Sequence, residues 1–153
     1  MNQTMDVSLF YIAFVCYTTA MLVYFFSFWK KTGAMAKIGK LLIIAGFTAQ
    51  VVGLVIRTYN SKFMPVTNMY ESLNFFTCTI ALAYIIVEQK FKNRSFGVFI
   101  LPVIFLLMSF SSHPAISKEI VPLIPALQSQ WLVWHVLLSF IGEAAFAVAF
   151  GTS

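Results

Sequence analysis

Charged side chains are scarce in this chain. Only 10% of its 153 residues are Asp, Glu, Lys or Arg, whereas 60% are hydrophobic, and the mean hydropathy is +0.87. Soluble domains are typically about 25% charged and about 45–50% apolar. A soluble fold of this length could not bury so much apolar surface. The composition therefore excludes a soluble domain and predicts an integral membrane protein.

Residues that usually carry catalysis are also few. The acids are scattered and give no hydrolytic pair: Asp6, Glu71, Glu88, Glu119 and Glu143. The two cysteines, Cys16 and Cys78, lie in separate apolar segments and form no CxxC motif, which favours buried structural thiols over redox chemistry. The sequence shows no glycine-rich phosphate loop, no Ser-His-Asp arrangement and no Cys/His metal cluster.

Long apolar runs are what the chain does have. A helix needs ~20 apolar residues to cross ~30 Å of hydrocarbon, and strands of a β-barrel would alternate over about 10 residues instead. We predict an all-α, polytopic integral membrane helix bundle with about five transmembrane helices in a single membrane domain, 1–153. The predicted spans are residues 7–29, 38–56, 69–87, 96–110 and 131–150. The fourth is short and contains Pro102, which favours a kink or a tilt.

The basic residues lie between these runs and predict the orientation. The first and third connections hold seven: Lys30, Lys31, Lys37, Lys40, Lys90, Lys92 and Arg94. The second and fourth hold three: Arg57, Lys62 and Lys118. The positive-inside rule places the base-rich connections in the cytoplasm, so the N-terminus and the other two connections face outward. Because topology accounts for the net charge of +5, we expect the lipid bilayer as a partner and no nucleic acid.

The second connection, RTYNSKFMPVTNMYESLNFF (57–76), contains a helix-start signal. Asn68 and Glu71 have capping-box spacing, and Pro65 lies just upstream. Glu71 would lie at the membrane boundary, where an unpaired carboxylate is costly. Arg57 ends the preceding run on the same side of the membrane. We therefore predict a helix start after Asn68 and an ion pair between Glu71 and Arg57.

The fourth connection, SSHPAISKEIVPLIPALQSQ (111–130), is long and contains three prolines. It is too apolar for a free loop, so we predict a segment that lies on or dips into the membrane interface. His113 precedes Pro114 within it and is interpreted as a solvated loop residue.

The last run begins with two tryptophans beside a histidine. Trp131 and Trp134 suit the aromatic belt at the membrane interface. His135, Ser139 and Glu143 follow at four-residue spacing, so they share a helix face that we expect to point into the bundle or a cavity. His135 is either an interfacial polar residue hydrogen-bonded to a neighbour or an axial ligand of haem iron. The residues by themselves leave both interpretations open.

Two longer motifs resemble those of one family. PVTNMYESLNFF (65–76) is similar to the loop-to-helix signature of the CcsA/ResC-type proteins of system II cytochrome c biogenesis. PALQSQWLVWHV (125–136) is similar to a second signature of the same proteins, in the same order and at a similar separation. The hydropathy between them agrees, so the resemblance spans most of the chain. The first motif contains the outer-loop residues Pro65, Asn68, Tyr70 and Glu71.

The resemblance implies a function in handling haem. Such proteins carry b-type haem, bound non-covalently and in transit, to the outer face and present it for covalent attachment to the CxxCH thiols of apocytochrome c. The histidine of the W-L-x-x-H-V motif is one outer axial ligand in this family, and that role falls on His135, with Trp131 and Trp134 beside it. No catalytic side chain is implied. The implied partners are a CcsB/ResB-type membrane protein and the thiol-reducing proteins of the pathway, in a bacterial cytoplasmic membrane or a thylakoid membrane.

The chain also departs from the family pattern. The tryptophan-rich haem motif, of the form WGxxWxWDxxE, does not occur, and the later family histidines would lie beyond residue 153. Glu143 stands where an aromatic residue is expected. We therefore expect the chain to correspond to the N-terminal half of a longer protein. The resemblance makes it part of a cytochrome c synthase (haem lyase) complex, but we expect weak haem binding and no lyase activity from the chain alone.

Two other classes of protein fit the composition. A b-type cytochrome or a quinone-linked membrane anchor needs paired histidines inside the bundle, and only His135 lies near it. A non-catalytic membrane subunit or a transporter fragment predicts that His135 can be replaced without consequence.

Overall fold

Five α-helices form the chain in the computed structural model, which describes residues 2–30, 33–62, 64–92, 95–120 and 129–152. They are α1 (Asn2–Lys30), α2 (Gly33–Ser61), α3 (Met69–Phe91), α4 (Phe96–Ser111) and α5 (Gln130–Thr152). No strand occurs in the described part of the chain, and α1, α2, α3 and α5 are long and apolar enough to cross a membrane. The predicted all-α membrane helix bundle is confirmed.

The helices extend beyond several of the predicted runs. α2 continues to Ser61 and α3 to Phe91, each about a turn past the end of its predicted span. Arg57 therefore lies inside α2 rather than in a connection. Hydropathy ends a run at the first charged residue, whereas the backbone continues as a helix when that charge is paired. α4 has only 16 residues and continues through Pro102.

α1 and α2 pack against each other in opposite directions along their whole lengths. Gly39, Gly46 and Gly53 repeat every seven residues of α2 and so lie on one face. A Cβ atom on Gly39 would lie 2.3 Å from the Tyr24 ring, and one on Gly53 would lie 3.3 Å from Leu9 Cβ. The absence of side chains at this stripe lets the two backbones approach closely, which is typical of helix pairs in membranes.

α3 and α4 close the bundle over α1. α4 buries Ile100, Ile104 and Met108 completely against the shared core. Phe14 of α1 stacks on Phe105 of α4 with ring centroids 5.6 Å apart. Apolar contacts of this kind hold the four helices around one core.

Among the described helices, α5 packs mainly on α3 and α4. Its contact face carries the buried residues Ala144, Val148 and Gly151, and a Cβ atom on Gly151 would lie 2.6 Å from Ile100 of α4. Phe140 contacts the ring of Phe76 at a centroid distance of 5.5 Å. The remaining face of α5 is largely exposed.

The bundle has two ends, because consecutive helices alternate in direction. We call one the Arg57 end; there α1, α3 and α5 begin and α2 and α4 end. We call the other the Glu88 end; there α1, α3 and α5 end and α2 and α4 begin. The sequence places the base-rich connections at the Glu88 end.

Candidate functional site

Three charged side chains meet inside the Arg57 end. Arg57 Nε donates to Glu71 Oε1 at 2.7 Å, and Arg57 Nη1 donates to Asp6 Oδ2 at 2.7 Å. All three residues are buried. The predicted pair of Arg57 and Glu71 is confirmed, but the sequence did not reveal Asp6 as its third member. The available signal was that an acid near the start of α1 lies at the same membrane boundary as Arg57.

The start of α3 lies beside these three charged residues and contacts them. Asn68 has extended backbone angles, and its Oδ1 accepts a hydrogen bond of 2.8 Å from the Glu71 N–H. The predicted helix start is confirmed. The Glu71 carboxylate does not complete a standard capping box. Its Oε2 instead accepts from the backbone N–H of Thr67 at 2.8 Å and from Thr67 Oγ1 at 2.6 Å. Glu71 thus joins the N-terminus of α3 to Arg57 on α2.

Tyr70 lies between the charged cluster and the apolar core. Its side chain is buried, with the ring centroid 5.0 Å from Arg57 Cζ and 5.1 Å from the Phe10 ring. A guanidinium over an aromatic face is attracted by the ring quadrupole. Pro65, the first residue of the outer-loop motif, is also buried. The motif therefore forms a packed helix entry.

The same cluster holds the first part of the fourth connection. Arg57 Nη2 donates to the Lys118 carbonyl at 2.9 Å, and Asn68 Nδ2 donates to the Glu119 carbonyl at 2.9 Å. Lys118 Nζ donates to Tyr11 OH and lies over the Tyr11 ring. Residues on α1, α2 and the N-cap of α3 thereby fix the backbone that leads toward α5. Residues 121–128 of the predicted interfacial segment (111–130) lie outside the described residues.

The second candidate group lies on the first turns of α5. Ser129 Oγ accepts from the Trp131 N–H at 3.2 Å, which supports the helix start. His135 and both tryptophans are exposed, with Trp131 at 82% and Trp134 at 59%. Trp131 and His135 are four residues apart and lie on one face. The structure therefore places the His135 imidazole and the Trp131 indole on one exposed face of α5.

The expected orientation of the His135 face is wrong for the described residues. His135 lies nine residues from the buried Ala144, which at 3.6 residues per turn places it on the opposite side of α5. Ser139 is half-buried and Glu143 is exposed. Gly151 approaches α4 closely and Ala144 is buried on the same side of α5, so the polar face points away from the four other described helices.

His135 is level with the outer-loop motif along the bundle axis. α3 and α5 run in the same direction because α4 separates them in the chain. Phe140 contacts both Phe75 and Phe76, with centroids 5.8 and 5.5 Å apart. His135 lies five residues before Phe140, as Tyr70 lies five before Phe75, and five residues correspond to ~7.5 Å of helix. The first motif and the described part of the second, residues 129–136, therefore both lie at the Arg57 end.

The imidazole of His135 forms no hydrogen bond with any other residue that the structure describes. His113 is exposed too, and its Nδ1 accepts from the Ala115 N–H at 3.2 Å, as befits a loop residue. The described ranges contain no group of three or more His, Cys, Asp or Glu side chains that could hold a metal ion. A metal bound at His135 would need its further ligands from elsewhere.

Other buried polar groups lie deeper in the bundle. Gln50 accepts from Tyr17 OH at 2.9 Å and donates to Asn74 Oδ1 at 2.7 Å and to Thr77 Oγ1 at 2.8 Å. Tyr24 OH donates to Glu88 Oε2 at 2.9 Å near the other end. These contacts join α1, α2 and α3, and their sequence signal is a polar residue inside an apolar run.

The cysteines fit a structural role. Cys78 is buried, Cys16 is half-buried, and both are free thiols.

Changing Glu71 to Gln should lower the amount of folded protein, because a neutral amide cannot balance the Arg57 charge while accepting from Thr67. Charge-assisted hydrogen bonds contribute about 1.5–3 kcal/mol. We therefore expect the free energy of unfolding to fall by about that amount, as measured by thermal unfolding in detergent. Glu119→Gln, at an exposed acid of the same end, is the matched control. An unchanged free energy of unfolding in Glu71→Gln would show that the Glu71 carboxylate does not stabilise this end of the bundle.

Known proteins that match this chain come from the family that both motifs resemble. A family model described as cytochrome C assembly protein matches residues 66–153. The chain is 40% identical over 90 residues to the cytochrome c biogenesis protein CcsA of Heterosigma akashiwo, covering 58% of the chain and 28% of that protein. It is 30% identical over 145 residues to CcsA of Pyropia yezoensis, covering 93% and 46%. For CcsA of Prochlorococcus marinus, the identity is 33% over 125 residues, covering 80% and 39%.

The chain spans less than half the length of these curated relatives. The region matched by the family model includes the start of α3, the segment held by Arg57 and all of α5. The match thus covers Glu71, Asn68 and the residues of α5, whereas Asp6 and Arg57 lie before it. It also covers more than half of the chain, and on that basis this membrane protein belongs to the cytochrome c assembly protein family.

Proposed function

We propose that this chain binds haem at the Arg57 end and presents it at the outer face of the membrane for attachment to apocytochrome c. The observation that carries the proposal is the exposed pair of His135 and Trp131 on one face of α5, level with the outer-loop motif. The matched relatives are named as cytochrome c biogenesis proteins, which supports this proposal. The absorbance spectrum of the chain purified with a CcsB/ResB-type partner, with and without His135, is the test.

Haem is the cargo in this proposal, and the residues of α5 fit it. The His135 imidazole is exposed, so one ring nitrogen can coordinate iron and the other can donate a hydrogen bond. The exposed faces of Trp131 and Trp134 offer apolar surface to a flat macrocycle. The chain contributes ligation and positioning. We assign no catalytic side chain, because the reactive groups belong to the haem and to the apocytochrome thiols.

We assign the Arg57 cluster the role of positioning this site. Arg57 and Asn68 hold the carbonyls of Lys118 and Glu119, about a dozen residues before Trp131. A fixed attachment restricts where the following segment can run and therefore where α5 begins. Binding groups that are held in place lose less conformational entropy on binding.

A b-type cytochrome receives less support. That class needs paired histidines inside the bundle, and His113 and His135 are both exposed in the described part of the chain.

The exposed face of α5 supports a protein partner. His135 and Glu143 would be costly to place against lipid, yet no other described helix covers them. We propose that a CcsB/ResB-type membrane protein contacts this face, and that the thiol-reducing proteins and apocytochrome c approach at the same end. Co-purification of a tagged CcsB/ResB-type protein, lost when Gly142 is replaced by a bulky residue, would support this contact.

We propose that the Arg57 end faces outward in a bacterial cytoplasmic or thylakoid membrane. The described lysines at the Glu88 end include the exposed Lys37, Lys90 and Lys92, as the positive-inside rule requires. In intact bacterial cells, a membrane-impermeant maleimide should label Tyr59→Cys without permeabilisation and Gln89→Cys only after it. Both positions are exposed, and the unchanged chain gives the background of Cys16 and Cys78. The reverse labelling pattern would invert the topology.

A further inference from the structure

An apolar groove opens between α3, α4 and α5 at the Glu88 end. Its volume is about 560 Å³. The described lining residues are all Ala, Val, Ile or Phe, and three of them are the alanines Ala83, Ala145 and Ala149. None of these side chains can ligate a metal or form a hydrogen bond, so the groove suits a hydrocarbon rather than haem or a polar molecule.

The groove has the depth and position of an acyl chain in one leaflet. Its lining on α3 extends from Ala83 to Phe91, which corresponds to ~12 Å of helix. Half of a hydrocarbon core measures about 15 Å. Because Phe91 is the last residue of α3, the groove begins at the level of the headgroups and extends toward the middle of the membrane.

A base, Lys90, lies at the mouth of the groove. Lys90 is exposed, and its Nζ lies 5.9 Å from the ring centroid of Phe91, which lines the groove. The connection QKFKNRS (89–95) contains no acid, and its second described base, Lys92, lines a separate cavity with Lys40, Gln89 and Glu88. Glu88, the nearest acid in sequence, is buried and accepts a hydrogen bond from Tyr24 OH on α1. Basic pockets beside transmembrane helices bind anionic lipid headgroups.

We propose that this groove is a binding site for an anionic phospholipid, with one acyl chain between α3, α4 and α5 and the headgroup phosphate at Lys90. Charge complementarity at the mouth and an apolar lining of leaflet depth together select an anionic amphiphile. This inference does not depend on haem binding, because it uses the opposite end of the bundle.

Native mass spectrometry of the full chain in detergent, titrated with phosphatidylglycerol or phosphatidylcholine, tests the site. We expect one molecule of phosphatidylglycerol to bind per chain, with a higher affinity than phosphatidylcholine. Lys90→Gln should weaken its binding about fivefold, the usual contribution of one basic residue near an anionic headgroup. Ala145→Trp should abolish binding because the indole fills the groove. Ala149→Phe is a second filling variant in case Ala145→Trp does not fold.

Matched controls separate the site from general effects of charge and bulk. Lys37→Gln removes an exposed lysine at the same end, and Val15→Trp adds an indole to an exposed position on α1. Both should bind phosphatidylglycerol like the unchanged chain. Equal affinity for the two lipids, or binding that survives a folded filling variant, would refute the proposal. So would a lipid-free dimer that Ala145→Trp dissociates, because a second copy would then occupy the groove.

Discussion

Replacing His135 with Gly will remove most of the Soret absorbance of this chain when it is purified with a CcsB/ResB-type partner. Removing groups that merely orient a metal ligand already costs about 10- to 100-fold in affinity, so losing the ligand should lower haem occupancy at least about tenfold. The residual band should shift, because any haem that remains has a different axial ligand. Absorbance spectra of the oxidised and reduced samples measure both effects.

Free imidazole provides the decisive control for this substitution. His135 is exposed, so imidazole from the buffer can occupy the space that the Gly variant leaves and restore part of the Soret band. Ser139→Ala, one turn along α5, should leave the spectrum unchanged. An unchanged Soret band in the Gly variant would exclude His135 as a ligand and return it to the role of an interfacial residue.

Replacing Arg57 with Leu will cause the largest loss of stability that we expect from a single substitution. The change leaves the buried carboxylates of Asp6 and Glu71 without their cation. Breaking a buried ion pair by removing one partner costs about 3–5 kcal/mol, because the remaining charge stays uncompensated. Thermal unfolding in detergent should show this loss, whereas Lys37→Leu, at an exposed cation of the same helix, should have little effect.

A compensated variant separates the stability of the Arg57 cluster from its positioning role. Combining Asp6→Asn, Arg57→Met and Glu71→Gln removes all three charges, and apolar or neutral replacements of buried ion networks are often tolerated. We expect much of the stability to return. Haem binding should stay low, because no guanidinium then holds the Lys118 carbonyl. Full haem binding in this variant would limit Arg57 to a purely structural role.

The local sequence was enough to predict the helices and the N-terminal cap of α3. A hydrocarbon layer demands long apolar helices, so composition and run length identify them. The cap of α3 involves Asn68 and Glu71, which are three residues apart, and such contacts depend on little beyond the local backbone. The partner of Glu71 could be predicted as well, because so few charges lie at that membrane boundary.

Tertiary packing decided the rest. Asp6 joins Arg57 across 51 positions of the chain, and nothing in the local sequence of either residue specifies that contact. Helical periodicity showed that His135, Ser139 and Glu143 share a face of α5, but it could not show which way that face points. The orientation of α5 follows from the burial of Ala144 and the close approach of Gly151 to α4, since a helix turns its best-packing face to its neighbours. The sequence by itself thus determined a five-helix membrane bundle and a histidine at one end, and packing determined that this histidine faces away from the other helices.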